Sequence, residues 1–109
     1  MLHGTANVTA IGTVSAKSTV HEHDGKKYCR FRLVVQRDSE YPAVVYYCEC
    51  RGNLAEVAND LKDGDRVFVS GTHTAYSWHT RDKEETVSYK IIVSTLMPVD
   101  KAEKKFKPA

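Results

Sequence analysis

The sequence has 109 residues, which is enough for one domain with a hydrophobic core and too few for two. With 28% charged and 41% hydrophobic residues, the composition is that of a globular protein, and the lack of any apolar run of about 18 residues excludes a membrane-spanning helix. The net charge is +2, but residues 101–109 hold four lysines and one glutamate (+3), so residues 1–100, with 12 basic and 13 acidic side chains (−1), produce no global positive field.

The first two predicted strands cover residues 7–14 and 28–36. The second alternates between an apolar and a mixed face, as expected of a half-buried strand. Between them, residues 21–27 are polar, and the pair Asp24-Gly25 predicts a turn. The two faces of the second strand are Cys29, Phe31, Leu33 and Val35 on one side and Tyr28, Arg30, Arg32, Val34 and Gln36 on the other.

Residues 44–51 form the third predicted strand, which is rich in β-branched and aromatic residues. The face that bears Cys48 and Cys50 is predicted to meet the core. The opposite face carries Glu49 and Arg51, and burial of these charges would cost several kcal/mol unless they were paired.

A short helix follows, with Asn53 as the predicted N-cap and Glu56 completing a variant of the capping box. Its spacing gives one apolar stripe, and Asp63-Gly64-Asp65 ends it. So short a helix needs a larger core to pack against. The stripe consists of Leu54, Val57, Ala58 and Leu61.

The fourth and fifth predicted strands cover residues 66–78 and 86–96, joined by a charged loop at residues 79–85. Gly71, inside the fourth strand, predicts a bulge or bend of the kind that curls small barrels. Beyond the bend, one face carries Thr72, Thr74, Tyr76 and Trp78.

This order of elements predicts an all-β fold, a five-stranded OB-fold barrel with one short helix between strands 3 and 4. We expect residues 1–99 to form this domain and residues 100–109 to form a short, disordered basic tail. The N-terminus lacks the basic and apolar segments of a signal peptide, so a cytoplasmic location without membrane contact is predicted.

Catalytic chemistry finds little support in the sequence, and we predict a protein that is not an enzyme and needs no cofactor. The five histidines are scattered, with no Ser/His/Asp spacing and no phosphate-binding glycine loop. The odd cysteine count favours reduced core thiols over disulfides, and no zinc pattern is present. The run His21-Glu22-His23 is interpreted as polar loop rather than as a weak metal site.

Several stretches resemble the bacterial and phage single-stranded DNA-binding protein (SSB) family, and the resemblance extends over residues 5–99. Trp78 stands where that family often carries a base-stacking aromatic residue. The matching stretches are Gly52-Asn53-Leu54-Ala55-Glu56-Val57-Ala58, Lys62-Asp63-Gly64-Asp65-Arg66-Val67, residues 71–78 and, in pattern, Arg30-Phe31-Arg32-Leu33-Val34-Val35.

The resemblance implies that Trp78 stacks on bases and that the strand with Tyr47 contributes to the binding face. Two departures stand out. Val45 and Arg51 replace aromatic residues of many members, and the family's acidic C-terminal tip is absent, since this chain ends in lysines. A shortened relative is implied, such as a phage, plasmid or mobile-element protein, or one similar to the primosomal replication-restart OB proteins.

Binding of single strands without sequence preference requires cations for the phosphates and exposed rings for the bases, each base stack contributing about 1–3 kcal/mol. The alternative interpretations are ring packing or an oligomer interface for Tyr76 and Trp78, and a solvated strand face for the arginines. The candidate DNA-binding residues are Arg30, Arg32, Tyr41, Tyr47, Arg51, Tyr76, Trp78, Arg81 and Lys83.

The first functional hypothesis is therefore sequence-independent binding and protection of single-stranded DNA in replication, recombination or repair. The protein would act as a homo-oligomer (dimer or tetramer), with replication or recombination proteins as possible further partners. The second is a primosome-type adaptor that mainly engages a helicase or another replication protein. A third, an OB domain for carbohydrate or protein, is disfavoured by the arginine-bearing strand.

Overall fold

The computed structural model describes residues 5–99, so the predicted tail at residues 100–109 lies outside the described residues. Six strands and one helix follow each other along the chain, and among residues 5–99 no helix is long and apolar enough to cross a membrane. The elements are β1 (Asn7–Ser15), β2 (His21–His23), β3 (Lys26–Val35), β4 (Val44–Arg51), α1 (Asn53–Asn59), β5 (Arg66–His79) and β6 (Glu85–Pro98).

The strands form one sheet that closes on itself. Its order is β1-β5-β6-β4-β3-β2, and β1 also pairs with β3, which completes the barrel. All pairs are antiparallel except β4 with β6. The prediction of an all-β OB-fold barrel with one short helix between the third and fourth predicted strands is confirmed, and the five predicted strands correspond to β1, β3, β4, β5 and β6. The barrel interior holds Val14, Cys29, Phe31, Leu33, Cys48, Cys50, Ala55, Ala58, Leu61, Val67, Val69, Ile91 and Val93.

The short strand β2 was not predicted, because three polar residues cannot show an alternating pattern. It pairs only with β3, in the register His21↔Tyr28 to His23↔Lys26. The two-residue turn between them is Asp24-Gly25, with φ of 52° and 76°, as in the tight turns that suit the twist of a hairpin. The predicted turn is therefore confirmed, and the polar segment before it extends the sheet by a sixth strand.

The N-cap of α1 lies one residue before the predicted one. Asn53 is the first helical residue, and the N-cap is Gly52, which makes no side-chain capping bond. At φ 61° and ψ −129°, Gly52 adopts a conformation that a side chain would strain, because β4 must turn directly into α1. Its N–H donates to the carbonyl oxygen of Lys27 at 3.0 Å, and Glu56 pairs with the Lys27 ammonium instead of closing a capping box.

The buried side of α1 also differs in part from the predicted stripe. Ala55, Ala58 and Leu61 are buried, whereas Val57 is exposed. Small alanine side chains allow the helix to lie close against β3 and β4 and to fill one end of the barrel.

Gly71 marks a β-bulge, as predicted. The register passes from Ser70↔Thr95 to Gly71↔Val93, so Ser94 is the extra residue in β6. A Cβ at Gly71 would lie 2.2 Å from the carbonyl oxygen of Ile92, which no side chain tolerates. Beyond this bulge β5 and β6 stay paired as a long two-stranded hairpin as far as His79↔Glu85, and β6 lies next to β4 at Ile91 and Ile92.

Candidate nucleic-acid interface

An open groove of about 490 Å³ lies between the outer face of β3 and β4 and the β5–β6 hairpin. We call it the central groove. Strand alternation places the predicted residues Arg30, Arg32, Tyr47 and Tyr76 along it, because each lies on the outer face of its strand. The full lining is Ala16, Ser18, Arg30, Phe31, Arg32, Tyr47, Cys48, Glu49, Tyr76 and Lys90.

The floor of the groove holds a buried carboxylate surrounded by cations. Glu49 is only 1% exposed, although it lies on the outer face of β4. Its Oε1 accepts hydrogen bonds from Arg30 Nε (3.0 Å) and Lys90 Nζ (3.3 Å). Its Oε2 accepts from Arg51 Nε (2.8 Å), with Arg51 Nη2 at 2.7 Å. Three cations around one carboxylate leave two net positive charges at this point of the groove.

These contacts decide the charge state of Glu49. Burial works to raise the pKa of this carboxyl, but the hydrogen bonds from Arg51 and Arg30 and the charge of Lys90 together outweigh it and hold the pKa below its ordinary value of 4.5. Glu49 is therefore ionised at neutral pH. It orients the guanidinium groups of Arg30 and Arg51, whose side chains are 59% and 49% exposed.

The depressed pKa of Glu49 predicts an acid-sensitive contribution to stability. Its stabilising effect is complete above the unfolded-state value near 4.5 and is lost as the pH falls through the lower folded-state pKa. The wild type should lose more unfolding free energy between about pH 5 and pH 3 than Glu49→Gln, measured by urea denaturation. Glu56→Gln, which removes an exposed carboxylate from α1, should keep the wild-type acid dependence; equal slopes in all three proteins would contradict the assignment.

Exposed rings flank this cationic cluster. Tyr47 and Tyr76 line the groove with 55% and 40% of their surface exposed, and Trp78, two residues beyond Tyr76 on the same face of β5, is 45% exposed. The indole Nε1 of Trp78 donates to Ser88 Oγ at 3.0 Å, which holds the ring across β6. Because its N–H is already satisfied, the ring offers its π face to a ligand rather than a hydrogen bond.

Lys90 connects the rings to the carboxylate. Its ammonium nitrogen lies 5.1 Å from the centroid of the Tyr76 ring, in cation–π geometry, as well as 3.3 Å from Glu49 Oε1. This cation closes a continuous row of stacking and charged groups from Trp78 through Tyr76 to Arg30. Flat rings beside fixed cations are the chemistry that binds unpaired bases and their phosphates.

The remaining predicted residues do not line the central groove. Arg51 stands beyond Glu49 on β4, with its guanidinium over the Tyr28 ring. Tyr41 lies in the β3–β4 loop under Arg37, whose guanidinium carbon is 5.2 Å from the ring centroid. Arg81 and Lys83 lie in the turn at the tip of the β5–β6 hairpin and contribute to no described groove lining, so their contact with DNA stays a prediction.

The cysteines are core residues, although Cys48 also lies at the floor of the central groove. Cys29, Cys48 and Cys50 are free and buried, and burial raises the pKa of Cys48 and of Cys50 to about 12. Such thiols stay protonated at neutral pH and are poor nucleophiles. Within residues 5–99, no group of three or more His, Cys, Asp and Glu side chains is arranged to hold a metal ion.

Comparison with known proteins identifies the family of this chain. The single-strand binding protein family matches residues 5–99. The chain belongs to this family. Among solved structures, the chain is similar to the small single-stranded DNA-binding protein from Streptomyces coelicolor, with a TM-score of 0.71 and 19% identity over 88% of this chain and 95% of that one. No curated protein matches.

Family membership supports single-stranded DNA binding and is consistent with a binding protein rather than an enzyme. The departure from the family pattern at Val45 and Arg51 has a structural counterpart. Val45 pairs with Val34 on the outer face and adds no ring, and Arg51 turns to Glu49 and Tyr28. In this member, the β4 strand therefore contributes charge where others place aromatic residues.

Sequence reasoning missed two groups of the groove, Glu49 as an organising carboxylate and Lys90. The sequence shows Glu49 only as a charge whose burial would be costly unless it were paired, because its cations come from three different strands and pair with it only in the folded register. Lys90 could have been found from the strand pairing, since Ser88 and Lys90 lie opposite Tyr76 and Thr74 on the same face of the hairpin. This register is known only once β5 and β6 are paired across the bulge.

Proposed function

We propose that this is a cytoplasmic protein that binds single-stranded DNA without sequence preference, on the central groove and the Tyr76–Trp78 side of the hairpin, and protects it during replication, recombination or repair. Phosphates would lie against Arg30, Arg32 and Lys90. Bases would stack on the exposed rings.

The observation that carries this proposal is the row of open rings beside a cationic cluster fixed by one buried carboxylate. Any base has a π face, so stacking tolerates every sequence. The carboxylate of this groove is already engaged, since Glu49 accepts hydrogen bonds from Arg30, Arg51 and Lys90, so it is not free to select a base.

Titration with labelled dT, dC and mixed oligonucleotides at two salt concentrations tests this proposal by fluorescence anisotropy. We expect similar affinities for the three sequences, much weaker binding of duplex DNA, and a salt slope of about −0.7 for each phosphate contact. Strong preference for one sequence would contradict the proposal. Weak and highly salt-sensitive binding, together with tight binding of a purified replicative helicase, would favour the adaptor role instead.

We also propose that the protein acts as a homo-oligomer. The outer face of the β1–β5–β6 part of the sheet, opposite the barrel interior, carries an apolar row in which Ile11 pairs with Phe68 and Phe68 with Met97. Ile11 and Met97 are exposed in the single chain. A second copy of the chain would cover this row and remove its apolar surface from water.

Ile11→Glu is expected to lower the oligomeric mass of the purified protein, because a charge in the apolar row would have to be buried unpaired. Light scattering at several protein concentrations measures this effect. Val57→Glu places the same charge on an exposed apolar position of α1, outside the row, and should leave the mass unchanged. A wild type that is monomeric throughout, or equal masses for both variants and the wild type, would contradict the proposed interface.

A further inference from the structure

The central groove does not end at Glu49. A second groove of about 460 Å³ shares Arg30, Glu49 and Lys90 with it and continues over the β2–β3 hairpin. We call this the hairpin groove. Its lining is His21, Glu22, His23, Tyr28, Arg30, Glu49, Arg51 and Lys90.

Three planar groups lie side by side across the strands of the hairpin groove. The His21 and Tyr28 rings stack with centroids 5.7 Å apart and planes 22° from parallel. The Arg51 guanidinium carbon lies 5.8 Å from the Tyr28 centroid on the other side. The strand registers His21↔Tyr28 and Tyr28↔Arg51 place the three on neighbouring strands, so the fold itself builds this planar row.

We propose that this planar row is a second stacking site for the same single strand, which would pass from Tyr76 and Tyr47 over the arginine cluster to His21, Tyr28 and Arg51. This inference rests on the proposed function and extends its site. Tyr28 is the centre of the row, and the exposed outer sides of His21 and Arg51 accept a base. Arg51 belongs to both parts of the path, because Glu49 fixes the same guanidinium that covers Tyr28.

Charge and distance are consistent with a continuous strand. Arg32, at the central groove, lies four positions along β3 from Tyr28, which corresponds to about 13 Å along the strand. The Arg30, Arg51 and Lys90 cluster lies between the two stacking sites. The acidic residue at the edge of the hairpin groove, Glu22, faces Lys27 across the β2–β3 pair, which offsets its charge.

Oligonucleotide length separates the two sites experimentally. A short dT oligomer of about 4 nucleotides, the lower end of the site sizes of one OB fold, is taken up by the central groove, whereas one of about 16 also covers the hairpin groove. Tyr28→Leu should weaken binding of the long oligomer about fivefold or more and leave the short one unchanged. Tyr28→Phe keeps the ring and should bind both oligomers like the wild type.

His21→Ser is the second variant, because His21 is exposed and its loss does not threaten the core. It should show the same length-dependent loss, with thermal melting unchanged. Tyr89→Leu, at an exposed position on the opposite face of β6 from Lys90, is the matched control and should bind both oligomers normally.

The outcomes distinguish the two proposals. Tyr28→Leu and His21→Ser proteins that bind the long oligomer like the wild type, or that lose equal affinity for both lengths, would overturn the hairpin groove as a stacking site while the proposed function stands. A wild type that binds neither oligomer would overturn the proposed function and this inference with it.

Discussion

Glu49→Gln is expected to weaken single-stranded DNA binding roughly three- to tenfold, although it removes a negative charge from the binding face. A carboxylate can accept from Arg30, Arg51 and Lys90 together, whereas an amide has one acceptor oxygen and turns its N–H₂ group toward a cation. The guanidinium groups then lose the orientation in which they meet phosphates.

The same substitution should lower the unfolding free energy at neutral pH by about 1–3 kcal/mol, because buried polar groups lose their partner. This loss of unfolding free energy should stay below the roughly 3–5 kcal/mol that breaking a fully buried ion pair costs, since Arg30 and Arg51 are half exposed and can be solvated. Anisotropy titration gives the affinity and urea denaturation the stability.

Glu56→Gln is the matched control for charge. It removes one carboxylate from α1, where Glu56 pairs with Lys27 outside the central groove. If charge alone mattered, both variants would bind DNA as well as the wild type or better. Tighter binding by Glu49→Gln would therefore contradict the positioning role, and weaker binding by Glu49→Gln alone would establish it.

Replacing Tyr76 and Trp78 together by leucine should lower affinity for oligo-dT by about 30-fold or more, since each base stack contributes about 1–3 kcal/mol. Both rings are exposed, so leucine leaves no cavity in the core and the fold should persist. Each single substitution should account for part of the loss, and Trp78→Phe should retain most of the affinity because it keeps a π face.

Tyr89→Leu provides the control on the same hairpin. Tyr89 is 56% exposed, but it contacts His73 on the face opposite Lys90. Its loss should leave DNA binding unchanged. If the double variant still bound DNA like the wild type, Tyr76 and Trp78 would be packing or interface residues, as the alternative interpretation holds.

The barrel was predictable because its signals are local. The alternation around Cys29 and Phe31, the turn at Asp24-Gly25 and the bend at Gly71 each fix a piece of backbone without reference to distant residues. The SSB resemblance then gave these pieces an order. The exposed rings of Tyr76 and Trp78 followed from strand alternation alone.

The centre of the site was not predictable in the same way. Glu49 can be buried as an ion only because cations from β3, β4 and β6 pair with it, and only the closed sheet brings these three together. Its partner Lys90 and the planar row at Tyr28 likewise depend on strand register. The predicted N-cap of α1 was wrong by one residue, because the sharp turn at Gly52 is required by the connection from β4 to α1 and is not encoded in the helix sequence.

Trp78 fluorescence is the most direct test of the claim that this face binds DNA, because Trp78 is the only tryptophan in the sequence. Stacking of a base on the indole predicts strong quenching on addition of oligo-dT, saturating at the stoichiometry that anisotropy gives, and reversed by salt. Binding of oligo-dT that is evident by anisotropy but leaves the Trp78 emission unchanged would contradict it.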